Sequence, residues 1–284
     1  MNLISIQSHV AYGHVGNSAA VFALQRLGCE VWPIHTVQFS NHTGYGAWKG
    51  EVFAAARISE VIDGIADLGV LGTCDGVLSG YVGAVETGEA ILAAIGKVKA
   101  ANPNASYCCD PVIGNRARGE FVRAGIAEFM RERALPAAGV VTPNHFELDR
   151  LVERETRDLA AILSAVDDIH ACGPRAVLVT SVLSDATPAD SLDVIASDGS
   201  ARYLVRTPLL ATPANGAGDL IAALFFLHCL RSGSVADALA AATSSVFGLL
   251  RRTRDAGASE TILIAAQDEL TAPSETFAPV RIGL

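Results

Sequence analysis

The chain has 284 residues and a mass of 29.5 kDa, enough for one large domain or two small ones. Half of the residues are hydrophobic and 18% are charged, which excludes intrinsic disorder and allows a substantial core. Thirty acidic against 21 basic residues give a formal net charge of −9, which argues against a general nucleic-acid binder. Arginine dominates the basic set, with lysine only at Lys49, Lys97 and Lys99. Residues 1–7 are too short and uncharged for a signal peptide, and no run reaches 18 apolar residues, so neither export nor a membrane span is expected. Cys29, Cys74, Cys108, Cys109, Cys172 and Cys229 form no C-x-x-C pair. They read as small buried hydrophobes in a reducing compartment, and the expected location is the cytoplasm.

Short apolar runs alternate with helical patterns. A strand is expected over 3–7, followed by a loop rich in Gly and His. Residues 17–27 have helical spacing, with Ala20, Val21, Leu24 and Leu27 on one face and Gly28 at the stop. A second strand covers 30–37. The polar loop 38–50 after it contains no obvious element, and long loops in compact domains are usually functional. Helix is expected over 59–68, strand over 76–81, and a long helix over 84–101 stopped by Asn102-Pro103. A strand over 106–110 ends in Asp110-Pro111. Helix over 121–133 and strand over 139–142 follow, then helix over 156–172 and strand over 176–180. Residues 192–197 and 201–206 read as a hairpin around Asp198-Gly199. The C-terminal part is expected to hold helices over 216–230, 235–251 and 261–266.

Strands that alternate with helices imply an α/β fold with a mostly parallel sheet covered on both faces. The late hairpin adds antiparallel strands at one edge. No Pro/Ser-rich linker, repeat or low-complexity tract divides the chain, so 1–284 is expected to be a single domain. Ligands in such sheets bind beyond the C-terminal ends of the strands.

Four segments there could carry chemistry. Residues 11–16, after the first strand, imitate a dinucleotide fingerprint, but Ala11 replaces its first glycine and no acidic residue ends strand two. A tight turn or a ligand loop remain as its readings. The loop 39–50 mixes aromatic rings, His42 and hydroxyls, which suits a flat heteroaromatic ligand, or a surface loop tacked down by its rings. In 212–219, Gly216 and Gly218 precede an apolar helix whose free amides make an anion site. Asp219 would repel that anion unless it is the general base for a hydroxyl beside a phosphoryl group; otherwise it is a carboxylate favoured by the helix dipole. Asp110 and Glu147, read at strand ends, could help to place Mg²⁺, or be structural. His145-Phe146-Glu147 lacks the P-C-x-x-C of a deaminase. Gly96-Lys97 lacks the Ser/Thr of a Walker A loop, and no G-x-S-x-G elbow occurs, so a kinase here is not of the P-loop type.

Taken together the residues resemble the pyridoxal kinase family of the ribokinase-like superfamily, over nearly the whole chain. The stretches that carry the resemblance are Ser8-His9-Val10, residues 13–17, residues 36–45, Leu78-Ser79-Gly80-Tyr81, Cys109-Asp110-Pro111-Val112, Thr142-Pro143-Asn144 and Gly216-Ala217-Gly218-Asp219. The last marks the superfamily, and 38–45 marks the pyridoxal branch. The resemblance implies a three-layer sandwich and ATP-dependent phosphorylation of the 5′-hydroxymethyl group of pyridoxal. It puts Ser8, Thr43 and Gly44 at the vitamin's polar edge and Val15, Phe39, His42 and Tyr81 around its ring. Asp219 is implied as the base, with the amides of Gly216, Ala217, Gly218 and Asp219 as anion hole. Asp110, Thr142, Glu147 and Thr180 would surround ATP and Mg²⁺, the metal lying with Asp110 and Glu147. Thr207, Pro208, Leu209 and Leu210 would meet the adenine, and a homodimer is implied.

Two features depart from the bacterial pattern: Thr180 stands where many bacterial relatives carry Lys, and the segment between Arg206 and Gly216 is shorter. Loops 38–50 and 115–120 are expected to close over the site. The alternatives are a ribokinase-like kinase for hydroxymethylpyrimidine or a sugar, and a non-catalytic pyridoxal-phosphate binder.

Overall fold

A computed structural model describes residues 1–212 and 215–283. Pro213 and Ala214, part of the glycine-rich segment 212–219, lie outside the described residues. In chain order the strands are β1 (Asn2–Val10), β2 (Glu30–Phe39), β3 (Gly50–Val52), β4 (Gly76–Ser79), β5 (Ser106–Cys109), β6 (Gly114–Asn115), β7 (Gly119–Glu120), β8 (Val140–Val141), β9 (Ala176–Val182), β10 (Ser191–Ser197), β11 (Arg202–Pro208) and β12 (Val280–Ile282). The helices are α1 (Asn17–Arg26), α2 (Ala55–Asp67), α3 (Val85–Ala101), α4 (Ile126–Phe129), α5 (Leu135–Ala137), α6 (His145–Leu151), α7 (Leu159–Ala171), α8 (Ala217–Ser232) and α9 (Val235–Asp255).

Ten strands form one sheet in the order β12-β11-β10-β9-β8-β5-β4-β1-β2-β3. The inner strands from β9 to β2 pair in parallel, while β3 and the run β10-β11-β12 are antiparallel. Side-chain alternation explains why both faces are covered. Ile4, Val77, Cys109, Val141 and Val177 feed a core shared with α2, α3, α4 and α7. Their neighbours Leu3, Leu78, Cys108, Val140 and Leu178 feed a second core with α1, α8 and α9. Helix α8 is buried without interruption from Leu220 to Leu227, as expected of a helix packed on all sides. Its N-terminus is therefore fixed at the strand ends.

The fold class agrees with the sequence reading, and several elements differ. The loop 38–50 is the turn of a hairpin: β3 pairs with β2, and Thr43–Tyr45 forms a 3-10 turn capped by the His42 ring, which accepts from the Gly44 amide. The helix expected from 121 starts at Ile126, because Phe121 belongs to the strap after the small β6–β7 hairpin, and its middle, Met130–Ala134, has π geometry. Helix α6 was not foreseen. It is short, and its signal is a capping box: the Asn144 side chain accepts from the Glu147 amide, and the Glu147 carboxylate accepts from the Asn144 amide. The helix expected over 261–266 is instead a set of turns at 263–266 and a 3-10 turn at Gln267–Leu270. The edge strand β12 was also missed; it is short, and only pairing with β11 makes it a strand. Of the cysteines, four are buried as read, but Cys172 is exposed and Cys229 half-buried. Among the described residues no helix is long and apolar enough to cross a membrane.

Candidate active site

A cavity of about 480 Å³ opens at the C-terminal ends of the parallel strands. The strand order reverses at β1, which lies between β4 and β2, so the chain leaves this point in two directions and leaves a crevice. Near the mouth, pairing of β1 with β2 slips between Gln7 and His9, and this irregularity lies at Ser8, which faces the cavity. On the same side stand Val15, Phe39, His42, Thr43 and Tyr81. Burial, helped by the positive charge of Arg118, pushes the His42 imidazole below its ordinary value, with Glu260 opposing. Gly44 was expected here too, but it does not line the cavity; its amide turns back to the His42 ring.

The opposite side is formed by Thr180, by Thr207 and Pro208 at the end of β11 with Leu209 and Leu210 just after it, and by Val246, Phe247 and Leu250 of α9. Ser181 follows Thr180 with a φ of 53°, an uncommon conformation for a residue other than glycine. Pairing of β9 with β10 slips at the same level.

Between the two sides lies the start of α8. Gly216 caps the helix with a φ of 88°, and a Cβ there would meet the His14 carbonyl oxygen at 1.8 Å. Only glycine satisfies both constraints. At Gly218 a Cβ would meet no protein atom within 4 Å. No side chain of the N-cap residue caps this helix, and Gly216 to Asp219, whose amides precede the intrahelical ladder, line the cavity. Asp219 sits in that turn, half-buried, with the Gly16 backbone near its carboxylate. Burial raises its carboxyl to about 6, against the pull of the Gly16 and Asp219 amides. A carboxylate raised in this way beside a helix start can take a proton from a neighbouring hydroxyl.

Asp110 and Glu147 line the floor of the cavity. Asp110 is buried and accepts from the Thr142 hydroxyl at 3.0 Å. Desolvation, then the negative charges of Glu147 and Asp219, hold its carboxyl well above the usual range. Glu147 is on α6, three residues beyond the Asn144 cap, and not at a strand end as the sequence suggested. Its Oε1 accepts from the amides of Ile113 and Gly114, and its Oε2 from that of Asn144. Burial still raises it to about 7. Asp110 and Glu147 are buried and Asp219 half-buried, the negative charge of the other two bears on Asp110, and Asp110 has fewer protein donors than Glu147. Among the described residues no group of three or more His, Cys, Asp or Glu is placed to hold a metal ion.

Apart from Gly44, every residue that the resemblance assigned to the site lines this one cavity. Sequence reading missed Arg118, Asn144, Thr243, Val246, Phe247 and Leu250. Asn144 had a signal in the capping box. The apolar residues of α9 had none, since their spacing is that of any buried helix face.

Comparison with known proteins finds relatives over nearly the whole chain. A family model described as phosphomethylpyrimidine kinase matches residues 73–263. The chain is 54% identical to a pyridoxal kinase, PdxY, of Rubrobacter xylanophilus, over 99% of this chain and 97% of that protein. It is 53% identical to a pyridoxal kinase, PdxY, of Granulibacter bethesdensis, over 98% of each. The pyridoxal kinase of Leishmania donovani, solved in complex with ADP and pyridoxine, superposes with a TM-score of 0.92 at 30% identity and covers 99% of both chains. The chain belongs to the pyridoxal kinase family, a ribokinase-like branch of the phosphomethylpyrimidine kinases.

Proposed function

We propose that this chain transfers the γ-phosphoryl group of ATP to the 5′-hydroxymethyl oxygen of pyridoxal, giving pyridoxal 5′-phosphate and ADP. The observation that carries the reading is Asp219, held at the junction of the two sides of the cavity with its carboxyl raised to about 6. Phosphoryl transfer asks the protein for positioning and charge stabilisation more than for covalent chemistry.

In this reading Asp219 takes the hydroxyl proton as the vitamin oxygen attacks phosphorus. The new O–P bond forms as the bond to the β-phosphate bridging oxygen breaks, and the leaving electron pair stays on ADP. The amides of Gly216, Ala217, Gly218 and Asp219 hold the charge on the transferring group. Ser8 and Thr43, with Gly44 supporting the turn, orient the vitamin's polar edge, and Val15, Phe39, His42 and Tyr81 enclose its ring. Thr142, Thr180 and the 207–210 segment (Thr207, Pro208, Leu209 and Leu210) receive ATP. Asp110 would hold Mg²⁺, with Glu147 adding charge from behind while bracing the floor. When bound, Mg²⁺ neutralises the phosphate oxygens. Loops 38–50 and 115–120 exclude water from the assembled site. The reading takes 1–284 as one kinase domain acting as a homodimer, and sedimentation velocity checks the mass.

Steady-state assays with ATP and Mg²⁺ against pyridoxal, pyridoxine, pyridoxamine and hydroxymethylpyrimidine test the substrate. The highest kcat/KM is expected in the vitamin B6 group. Preference for hydroxymethylpyrimidine would move the chain to the neighbouring activity, and no ATP consumption with any of them would remove the kinase reading.

A further inference from the structure

Three loops converge on Glu260, outside the groups used above. The Tyr45 hydroxyl, at the end of the turn that carries Thr43, donates to Glu260 Oε1 at 2.6 Å. The Tyr12 ring meets the Tyr45 ring edge-on, with centroids 6.3 Å apart. Gly13 makes room for the carboxylate: a Cβ there would lie 2.4 Å from Glu260 Oε2. That oxygen is buried and has no partner among the described residues. The next residue, Thr261, is buried and donates its hydroxyl to the Asn215 carbonyl at 2.9 Å, immediately before Gly216.

A buried carboxylate oxygen without a protein donor adds nothing to stability at that atom. What the segment does achieve is a link between the turn bearing His42 and Thr43 and the start of α8. The charge of Glu260 also reaches His42.

We infer that Glu260 is a positioning residue for the kinase reaction: through Tyr45 it fixes the 43–45 turn, and through Thr261 it ties that turn to the anion-holding helix start. The separation of the two sides of the cavity is then set by one short segment. This rests on the kinase reading above. Glu260 touches neither ligand; it acts through Tyr45.

The test is a double-mutant cycle of Tyr45→Phe and Glu260→Ala, with Glu260→Gln as the conservative variant. Each single change should raise KM for pyridoxal about fivefold, as for one lost charge-assisted hydrogen bond, with KM for ATP unchanged. The double variant should be no worse than the weaker single, because both remove the same bond. Glu260→Gln should recover most of the loss, since its amide oxygen still accepts from the Tyr45 hydroxyl. Hydrogen exchange in the unliganded protein should quicken within 40–50 in both single variants, and in Glu260→Gln far less. Additive effects in the double variant, equal shifts in both Michaelis constants, or unchanged exchange within 40–50 would overturn the inference. Absence of wild-type turnover would count against the kinase reading, and exchange would still decide the clamp.

Discussion

At the scale of single residues, Asp219 is where stability and chemistry separate. Its ordinary value of 3.8 is raised to about 6 in the folded chain, so the folded state favours the protonated acid. That preference stabilises fully below about pH 4 and is lost as pH rises through about 6. Asp219→Asn imitates the protonated form. It is expected to melt no lower than wild type at pH 8, and the advantage should vanish near pH 4. The same variant should lose roughly 10² to 10⁴ in kcat, as for a lost general base. In wild type, kcat/KM should fall tenfold per pH unit below about 6. A variant that melts lower at pH 8, or keeps half of its kcat, contradicts the assignment. Two glycines give a matched pair. Gly216→Ala is blocked by the His14 carbonyl and by its own φ, so it should destabilise the fold. Gly218→Ala meets no protein atom and should melt like wild type, yet its methyl group intrudes where phosphate is to be held, so KM for ATP should rise severalfold. Unchanged ATP kinetics in Gly218→Ala would detach the helix start from nucleotide binding.

At the scale of elements, α6 and its capping box support the floor of the site. Glu147 serves three backbone amides, two of them at the entrance to the β6–β7 hairpin. Glu147→Ala orphans these donors and should cost about 2 kcal/mol or more in stability. Asp110 accepts one hydroxyl, from Thr142, so Asp110→Ala should fold nearly normally and raise the Mg²⁺ needed for half-maximal rate. Denaturant titration and Mg²⁺ titration of the pair separate the two carboxylates. Equal behaviour of the variants in both measurements would refute the division. A lone carboxylate in a sequence looks the same in either role, and which donors surround it is decided by the elements packed above it.

For the whole molecule, the sheet order gathers the residues proposed for the vitamin from the β1–β2–β4 half of the sheet and those proposed for the nucleotide from the β9–β11 half and α9. His42→Ala is therefore expected to raise KM for pyridoxal about tenfold, as for one stacking contact of roughly 1–1.5 kcal/mol, and to leave KM for ATP near its wild-type value. A shift in the ATP constant alone would break that division. Much of this was already in the sequence. Alternating apolar runs and helical spacings determine a two-faced parallel sheet, because period-2 and period-3.6 patterns bury different surfaces. Gly216, Gly218 and Asp219 announce the start of α8, because few residues tolerate the backbone that Gly216 adopts there. Other features were decided only by tertiary structure. The loop 38–50 became a hairpin because β2 offered it an open edge. Val246, Phe247 and Leu250 became cavity wall because α9 packs beside the end of β11. Glu260 met Gly13 and Tyr45 because three loops end at one corner of the sheet. A local pattern records which surface of an element is apolar and where the backbone must turn, whereas contacts between residues more than 200 positions apart depend on how the finished layers stack.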